Sequence, residues 1–301
     1  EKELYFHTVS SPLATQLPQA AGAAYALRLQ HMQRMKKRQA ELMNKVAAAT
    51  SVAPEAQVDE KASLPSTSTP IQMPVPLVVD PMDNIVAAFF GEGAASEGDF
   101  HAALNFASTM NCPVLFVCRN NGFAISTPTS EQYAGDGIVL RGLGYGMDAL
   151  RVDGNDALAV FEAVRQARKH ITEFHTPVLL ELMTYRQGHH STSDDSTRYR
   201  HKQEIETFHS RADPIRRLSN YLTTKQWWTE SMDAEFVKTE RSKVLDAVKK
   251  AESADHVHPM TLFDDVYHQL TPALLEQRKD LHAHLLRYPE VYRAAVHDVT
   301  V

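Results

Sequence analysis

The sequence lacks long hydrophobic runs, extended basic patches and any abundance of cysteine, and each absence excludes a class of protein. Its longest apolar runs, such as VLFVC and PVLLELM, are far shorter than the roughly 20 residues of a membrane-spanning helix. The formal net charge is −6, and no basic stripe interleaved with aromatic residues favours nucleic acid as a partner. We therefore expect neither membrane insertion nor binding of nucleic acid.

The sequence contains two cysteines, Cys112 and Cys118. Both lie in a strand-like run whose alternation points them to one face, which favours buried, reduced thiols in a reducing compartment over a disulfide. The first residues, EKELYFHTVSSPLATQ, contain neither the features of a secretory signal nor an Arg-rich amphipathic presequence. Position 1 is Glu rather than Met, so we expect a processed chain or a fragment.

The remaining composition, 43% hydrophobic and 23% charged, is typical of a soluble globular protein. A helix follows the segment SSPLATQ and continues through residues 31–49. From residue 50 to 81 the chain is rich in Pro, Ser, Thr and Ala without apolar periodicity, which is typical of an exposed linker. We predict an insertion, disordered in part, at about residues 31–81.

Strand and helix patterns alternate after this segment. Strands are predicted at IVAAFF, PVLFVCR, LRVDG and TPVLLELMTYR, and the helix before the last of them begins at Asn155 or Asp156 as cap. Apolar strands that alternate with helices indicate an α/β fold, a parallel sheet with helices on both faces. We expect this domain to span residues 1–200 and a helical C-terminal region to span residues 201–301.

Two of the predicted strands end in polar tips, Gly91-Glu92-Gly93 and Asn120-Asn121-Gly122. Ligands of such sheets bind at the carboxyl ends of strands. A carboxylate about 4 Å from a phosphate charge costs roughly 4 kcal/mol at an effective dielectric constant of about 20, so a cation must lie between them. The oxygens of Glu92 and Asn121 suit Mg²⁺, which completes its coordination with phosphates, and a helix that begins near Ser96 points its positive end to the anion.

Each tip has another interpretation. Ser96 replaces the third glycine of a dinucleotide-binding fingerprint, and no GK[ST] sequence follows, so neither a Rossmann site nor a P-loop is indicated. Asn121-Gly122 between apolar runs is also typical of a β-hairpin turn, and SSPLATQ is typical of a helix cap. The segment HHSTSDD leaves open a Ser-His-Asp hydrolase site, although no nucleophile elbow accompanies it.

The acidic glycine turn, Gly91-Glu92-Gly93, is followed after one predicted helix and one predicted strand by the pair Asn120-Asn121. Together, these two motifs resemble the thiamine-diphosphate signature. GEGAASEGD, CRNNGFAISTPTSEQYAGDGI, RVDGND and TYRQGHHSTSDDS resemble the alpha subunits of the mitochondrial branched-chain 2-oxo acid dehydrogenases. The resemblance implies a thiamine-diphosphate-binding fold and covers nearly all of the chain except the insertion. The relatives also have an N-terminal region, absent before the SSP segment, that contacts the cofactor.

The resemblance also implies roles for individual residues. The expected Mg²⁺ ligands are Glu92, Asn121 and the carbonyl of Phe123, where the family usually has Tyr. Expected contacts of the cofactor are Ser11, Leu13, Gly91, Glu92, Gly93, Arg119, Asn121 and His190. Expected ligands of K⁺ are Ser10, Pro12, Thr15 and Gln16. The expected catalytic residues are His190, which can donate to an oxyanion or move a proton, and Arg186; Ser191 matches an inhibitory phosphorylation site.

The implied activity is oxidative decarboxylation of branched-chain 2-oxo acids with reductive acyl transfer to a lipoyl group, in branched-chain amino-acid catabolism. Expected partners are a beta subunit in a two-alpha, two-beta assembly, a lipoyl acyltransferase core, and a regulatory kinase and phosphatase, all in the mitochondrial matrix. No candidate appears for the Glu that activates the cofactor, so this chain alone is expected to be inactive. The alternatives are a pyruvate dehydrogenase-type alpha subunit and a non-catalytic structural or regulatory subunit.

Overall fold

A computed structural model describes residues 9–50, 84–254, 257–264 and 266–292 of the chain. It divides into two compact units, residues 1–224 and 225–301. The strands are β1 (Val86–Gly91), β2 (Val114–Asn120), β3 (Phe123–Ala124), β4 (Thr127–Pro128), β5 (Asp148–Asp153) and β6 (Val178–Met183). The helices of the first unit are α1 (Gln16–Thr50), α2 (Gly98–Thr109), α3 (Thr129–Gln132), α4 (Val139–Gly144), α5 (Ala157–Phe174), α6 (Lys202–Ala212) and α7 (Pro214–Thr224).

A parallel four-stranded sheet in the order β1-β2-β6-β5 forms the centre of the first unit. Its strands carry buried Val, Leu and Phe side chains on both faces, which is the pattern of a sheet covered by helices on both sides. This confirms the predicted α/β fold. The hairpin interpretation of Asn121-Gly122 is wrong, because β2 pairs in parallel with β1 and β6, and the short antiparallel ribbon β3–β4 comes after this turn.

Two apolar clusters hold the helices to the sheet. The cluster on one face joins α1 and α2 to the sheet through side chains such as Leu17, Phe100 and Phe116. The cluster on the other face is built on the buried stripe of α5. Each large side chain that is fully buried stabilises the fold by about 1.5–3 kcal/mol. The result is a rigid sheet whose carboxyl ends are fixed relative to one another.

Local signals explain where individual elements begin and which face they bury. Asp156 caps α5, since its carboxylate accepts bonds from the backbone N–H groups of Leu158 and Ala159 at 3.0 Å.

Cys112 and Cys118 are both buried and free, as predicted. Burial strongly raises the pKa of the Cys118 thiol, so this side chain behaves as an apolar core residue.

Helix α1 is continuous to Thr50, so residues 31–50 of the predicted insertion are helical. Residues 51–83, the rest of that segment, lie outside the described residues.

Helices α6 and α7 belong to the first unit. Arg217 of α7 donates to Asp153 at 2.7 Å and to Asp156 at 3.1 Å. The boundary predicted at residue 200 from sequence pattern stays a prediction.

The second unit is helical. It contains α8 (Glu230–Glu252), α9 (Pro272–Arg287), α10 (Pro289–Tyr292) and a 3-10 turn at Pro259–Phe263. Thr229 and Thr271 cap α8 and α9 through their hydroxyl oxygens. Among the described residues, no helix combines the length and the apolar character that crossing a membrane requires.

Candidate functional site

The predicted pair Glu92 and Asn121 meets at the carboxyl end of the sheet. Strands β1 and β2 are parallel and in register, with Gly91 opposite Arg119, so the residues that follow each strand lie side by side. The backbone N–H of Asn121 donates to Glu92 Oε2 at 3.1 Å. The sheet thus joins two polar tips that are 29 residues apart in sequence.

The Glu92 carboxylate is deeply buried, at 1% exposure, and only partly satisfied. Its Oε1 atom is buried and has no hydrogen-bond partner among the residues that the structure describes. Burial raises the pKa of the Glu92 carboxyl, against the opposing effect of backbone N–H groups and the charge of Arg186. A buried carboxylate with an unpartnered oxygen is costly unless a cation neutralises it. The free oxygen is therefore a feature that a metal ion would explain.

The turn after β2 supplies further oxygen atoms. Asn121 Oδ1 accepts a bond from the backbone N–H of Phe123 at 3.2 Å and keeps its second lone pair. One carboxylate, one amide oxygen and one carbonyl form the kind of set that Mg²⁺ uses when phosphates and waters complete its shell. The described residues contain no cluster of three or more His, Cys, Asp or Glu.

Gly93 lets the acidic turn pass close to the ribbon that follows β2. A Cβ at position 93 would lie 2.7 Å from the Cβ of Ala124. The φ angle of Gly93 is −63°, so steric contact rather than backbone conformation demands glycine here. A 3-10 turn, Ala94–Ser96, separates Gly93 from α2, which begins at Gly98 rather than near Ser96 as predicted.

Arg186 connects the loop after β6 to the ribbon that follows β2, and only some of its hydrogen-bond donors are used. Its Nη2 donates to the carbonyl of Ile125 at 2.8 Å and to the Tyr199 hydroxyl at 2.7 Å. Its Nε and Nη1 atoms are buried and have no hydrogen-bond partner in the described part of the chain. Buried guanidinium donors without acceptors are costly, and an anion such as a diphosphate oxygen would satisfy them. Arg119, opposite Gly91, has an exposed side chain at the same edge of the sheet.

Ile125 is conformationally unusual. Its φ is 55°, in the left-handed region that β-branched residues rarely adopt, and its side chain is 52% exposed. Such an outlier beside the predicted metal ligands points to a functional constraint on the turn. Ile125 was not among the predicted site residues, because an isoleucine in the left-handed region has no signal in the amino-acid sequence.

His190 and Ser191 lie on the exposed loop that carries the segment HHSTSDD. The backbone N–H of His190 donates to Asp194 Oδ2 at 2.8 Å, and the Tyr199 hydroxyl donates to the same oxygen at 2.6 Å. Ser191 Oγ lies 3.3 Å from Ser193 Oγ. These bonds stay within the loop, and Tyr199 links it to Arg186. The His190 side chain is exposed, so it is accessible to a ligand from outside the chain.

Arg200 anchors the base of this loop and was not predicted. It is 4% exposed, donates to the carbonyls of Arg186 and Gly188, and lies over the rings of Phe123 and Tyr199. Stacked and hydrogen-bonded guanidinium groups are rigid. Arg200 therefore fixes Arg186 relative to the turn that carries Asn121.

The hydroxyl groups expected around K⁺ are close together. Ser10 Oγ lies 2.7 Å from Thr15 Oγ1, which also donates to the carbonyl of Pro12 at 3.3 Å. The Gln16 amide donates to the carbonyl of Phe89 in β1 at 2.9 Å, tying this loop to the strand that leads to Glu92. Ser11 and Leu13 are exposed on the same loop.

Comparisons with known proteins identify the family of this chain. A family model described as dehydrogenase E1 component matches residues 1–260. The chain belongs to this dehydrogenase E1 component family. The mitochondrial 2-oxoisovalerate dehydrogenase alpha subunit of Homo sapiens is 43% identical over 291 residues, which are 97% of this chain and 54% of that protein.

Two other E1 relatives show that this similarity extends beyond mammals. The corresponding protein of Caenorhabditis elegans is 43% identical over 97% of this chain and 56% of its own length. The alpha 1 subunit of Arabidopsis thaliana is 40% identical over 98% of this chain and 52% of its own length. The chain thus spans about half the length of the curated E1 relatives that it matches.

Proposed function

We propose that this chain acts as the diphosphate-binding part of the alpha subunit of a branched-chain 2-oxo acid dehydrogenase. The observation that carries the proposal is the buried, unpartnered Oε1 of Glu92, held beside Asn121 by a backbone hydrogen bond. Family membership and the identity to 2-oxoisovalerate dehydrogenase alpha subunits support it. The activity is that of a 3-methyl-2-oxobutanoate dehydrogenase that transfers the 2-methylpropanoyl group to a lipoyl disulfide.

The residues of this chain fit thiamine diphosphate with Mg²⁺. Glu92, Asn121 and the carbonyl of Phe123 would hold the metal ion, and the free donors of Arg186 would face the diphosphate. The other contacts of the cofactor are Ser11, Leu13, Gly91, Gly93, Arg119 and His190. When bound, the cofactor supplies an electron sink for the decarboxylation of a 2-oxo acid.

This chain's own contribution to the reaction is to orient charge and protons. Arg186, held by Tyr199 and the Ile125 carbonyl, places its positive charge near the Glu92 carboxylate and would also offset the charge of the phosphate oxygens. His190 can donate a hydrogen bond from its imidazole to the substrate oxygen that gains charge. The Ser10-Pro12-Thr15-Gln16 loop, with K⁺ bound, would brace β1 through the Gln16–Phe89 bond.

Partners follow from the same proposal. A beta subunit would complete the site in a two-alpha, two-beta assembly, and a lipoyl acyltransferase core would receive the acyl group. Phosphorylation of the exposed Ser191 by a regulatory kinase, reversed by a phosphatase, would add nearly two negative charges near a diphosphate and oppose its binding. The mitochondrial relatives support a location in the mitochondrial matrix.

Calorimetry of thiamine diphosphate binding to the chain assembled with its beta partner tests the proposal. With Mg²⁺, we expect binding that Glu92→Gln or Asn121→Ala weakens by more than about 100-fold, beyond the 10- to 100-fold typical of residues that only support a ligand. Glu97→Gln, which removes an exposed acid of the same segment, is the matched control. Undiminished binding by both site variants would overturn the metal assignment.

Turnover of the assembly with two substrates then separates the candidate enzymes. We expect acyl transfer to lipoyl groups with 3-methyl-2-oxobutanoate and little with pyruvate. The reverse preference would indicate a pyruvate dehydrogenase-type subunit, and cofactor binding without turnover of either acid would indicate a non-catalytic subunit.

A further inference from the structure

Glu181 is a buried acid in an apolar strand. It lies in β6, between Leu180 and Leu182, and its side chain is fully inaccessible. Strand β6 pairs with β2 on one side and β5 on the other, so Glu181 stands opposite Cys118 and Arg151. An ionised side chain at the centre of a sheet requires compensation from several partners.

Four donors supply that compensation. Glu181 Oε1 accepts from Asn120 Nδ2 at 2.8 Å and from the backbone N–H of Ile138 at 2.9 Å. Glu181 Oε2 accepts from the backbone N–H of Val139 and from Arg151 Nε, both at 3.0 Å. Although burial opposes the charge, the bonds from Ile138 and Asn120 lower the pKa of the Glu181 carboxyl. The side chain is thus an ionised anchor for surrounding segments, in contrast to the half-satisfied Glu92.

One of these bonds leads directly to the predicted metal site. Asn120 donates to Glu181 with its amide nitrogen and accepts from the backbone N–H of Gly122 with its Oδ1 at 3.0 Å. Gly122 has a φ of 84°, so the turn depends on this support and on glycine. Within this turn lies Asn121, whose backbone N–H donates to Glu92. Hydrogen bonds therefore connect Glu181 through the Asn120 side chain to Gly122, whose covalent neighbour Asn121 donates to Glu92.

Gly137 permits the close approach on which the anchor depends. A Cβ at this position would lie 2.3 Å from Arg151 Nη2 and 2.7 Å from Glu181 Oε1, and its φ is 71°. Arg151 also bonds Asp136 at 3.0 Å, which closes the loop between Asn121 and α4 onto the sheet. This loop lines a cleft of about 630 Å³ that opens between the carboxyl ends of β2 and β6.

We propose that Glu181 and Asn120 are positioning residues that set the orientation of Asn121 and thereby the Mg²⁺ affinity of the site. Neither contacts the metal ion; they act through the turn Asn120-Asn121-Gly122. The proposal rests on the proposed function and deepens it, because it assigns to residues outside the ligand set a measurable effect on the metal requirement.

The test uses the chain assembled with its beta partner and measures the Mg²⁺ concentration that gives half-maximal binding of thiamine diphosphate. We expect Asn120→Ala and Glu181→Gln to raise this concentration about tenfold, as loss of supporting hydrogen bonds does at other metal sites. At saturating Mg²⁺, cofactor affinity should return close to that of the parent protein. Gly137→Ala, which crowds the Glu181 carboxylate, should shift the requirement in the same direction.

Ile171→Val is the control for general destabilisation. Ile171 is fully buried in α5 on the opposite face of the sheet, so this change lowers stability without touching the hydrogen-bond path. We expect it to lower the unfolding temperature and leave the Mg²⁺ requirement unchanged. An unchanged Mg²⁺ requirement in Asn120→Ala and Glu181→Gln would overturn the proposal.

Amide hydrogen exchange of the cofactor-free assembly separates this proposal from the proposed function. Asn120→Ala should accelerate exchange at the Asn121 amide, which is bonded to Glu92, whereas Ile171→Val should not. If the parent protein binds no thiamine diphosphate, the proposed function is wrong. Independently of that result, equal rates of exchange at the Asn121 amide in the parent protein and in Asn120→Ala would refute the positioning role. Faster exchange without any change in Mg²⁺ requirement refutes the link to the metal.

Discussion

The backbone N–H of Asn121 donates to Glu92 Oε2 at 3.1 Å and so joins the ends of β1 and β2. This bond uses one oxygen of the carboxylate and leaves the other buried and free. A single backbone contact thus fixes one oxygen of the acid and leaves the other for the cation that we propose at this site.

Replacing Gly93 with alanine should disrupt the acidic turn through a steric clash. The new Cβ would lie 2.7 Å from that of Ala124, and the backbone of both residues lies in packed segments. We expect weaker thiamine diphosphate binding and a lower unfolding temperature, measured by calorimetry and thermal unfolding. Overpacking of this kind typically costs about 1–3 kcal/mol.

The control for that experiment is Gly98→Ala, at the first residue of α2. A Cβ there meets nothing within 4 Å, and alanine favours the helix by about 0.5–1 kcal/mol relative to glycine. It should bind cofactor normally and be slightly more stable. Equal binding by Gly93→Ala and Gly98→Ala would contradict the close approach of Gly93 to Ala124.

Removing the Tyr199 hydroxyl should loosen the loop that carries His190 and Ser191. This hydroxyl donates to Asp194 at 2.6 Å and accepts from Arg186 at 2.7 Å, so Tyr199→Phe breaks both contacts. Hydrogen bonds to charged groups contribute about 1.5–3 kcal/mol each. We expect faster amide exchange at His190 and weaker cofactor binding.

Tyr145→Phe provides a matched comparison, because it removes the hydroxyl that bonds His101 at 2.9 Å, between α2 and the end of α4. Exchange at His190 should be unaffected by it. A His190 amide that exchanges at the same rate in Tyr199→Phe as in the parent protein would show that Tyr199 does not order the loop.

The stability of the protein should fall as the pH drops below neutral, in part because of His175. Burial, followed by the charges of His31 and Arg28, lowers the pKa of His175 from its usual value of 6.5. The folded state therefore binds this proton more weakly than the unfolded state. The contribution of neutral His175 to the free energy of unfolding is complete above the pKa that this side chain has in the unfolded state. It is lost as the pH falls through about 6.5 towards the lower pKa of His175 in the folded state.

His175→Asn should flatten the decline of unfolding temperature between about pH 8 and pH 5.5. Asparagine tolerates the left-handed backbone of this position, where φ is 58°, so the change removes the titrating ring without new strain. The assignment would be wrong if His175→Asn kept the slope of the parent protein.

Apolar strands and polar strand ends made much of this architecture predictable from sequence. Buried parallel strands have a near-continuous apolar pattern, and their register brings their ends to one edge. Glu92 and Asn121 could be paired for that reason. Their roles in binding a metal ion stay predictions.

The supporting contacts were not predictable in the same way. Asn120 and Glu181 are 61 residues apart, and their bond depends on the order β2-β6-β5, which the strand patterns do not determine. The lone Glu within VLLELM was a usable signal, since an acid in a buried strand requires partners. Arg186 and Tyr199 were a similar case, because their bond depends on how the loop between them folds.

The left-handed conformation of Ile125 makes the β3–β4 ribbon a conformationally strained segment. A β-branched residue in this region costs of the order of 1–3 kcal/mol, and the bond from Arg186 to its carbonyl opposes relaxation. Moving Arg186 away would remove one of the contacts that hold this strained residue in place. A change on the Ser191 loop that moves Arg186 would therefore reach the turn that carries the proposed metal ligands without touching those ligands themselves.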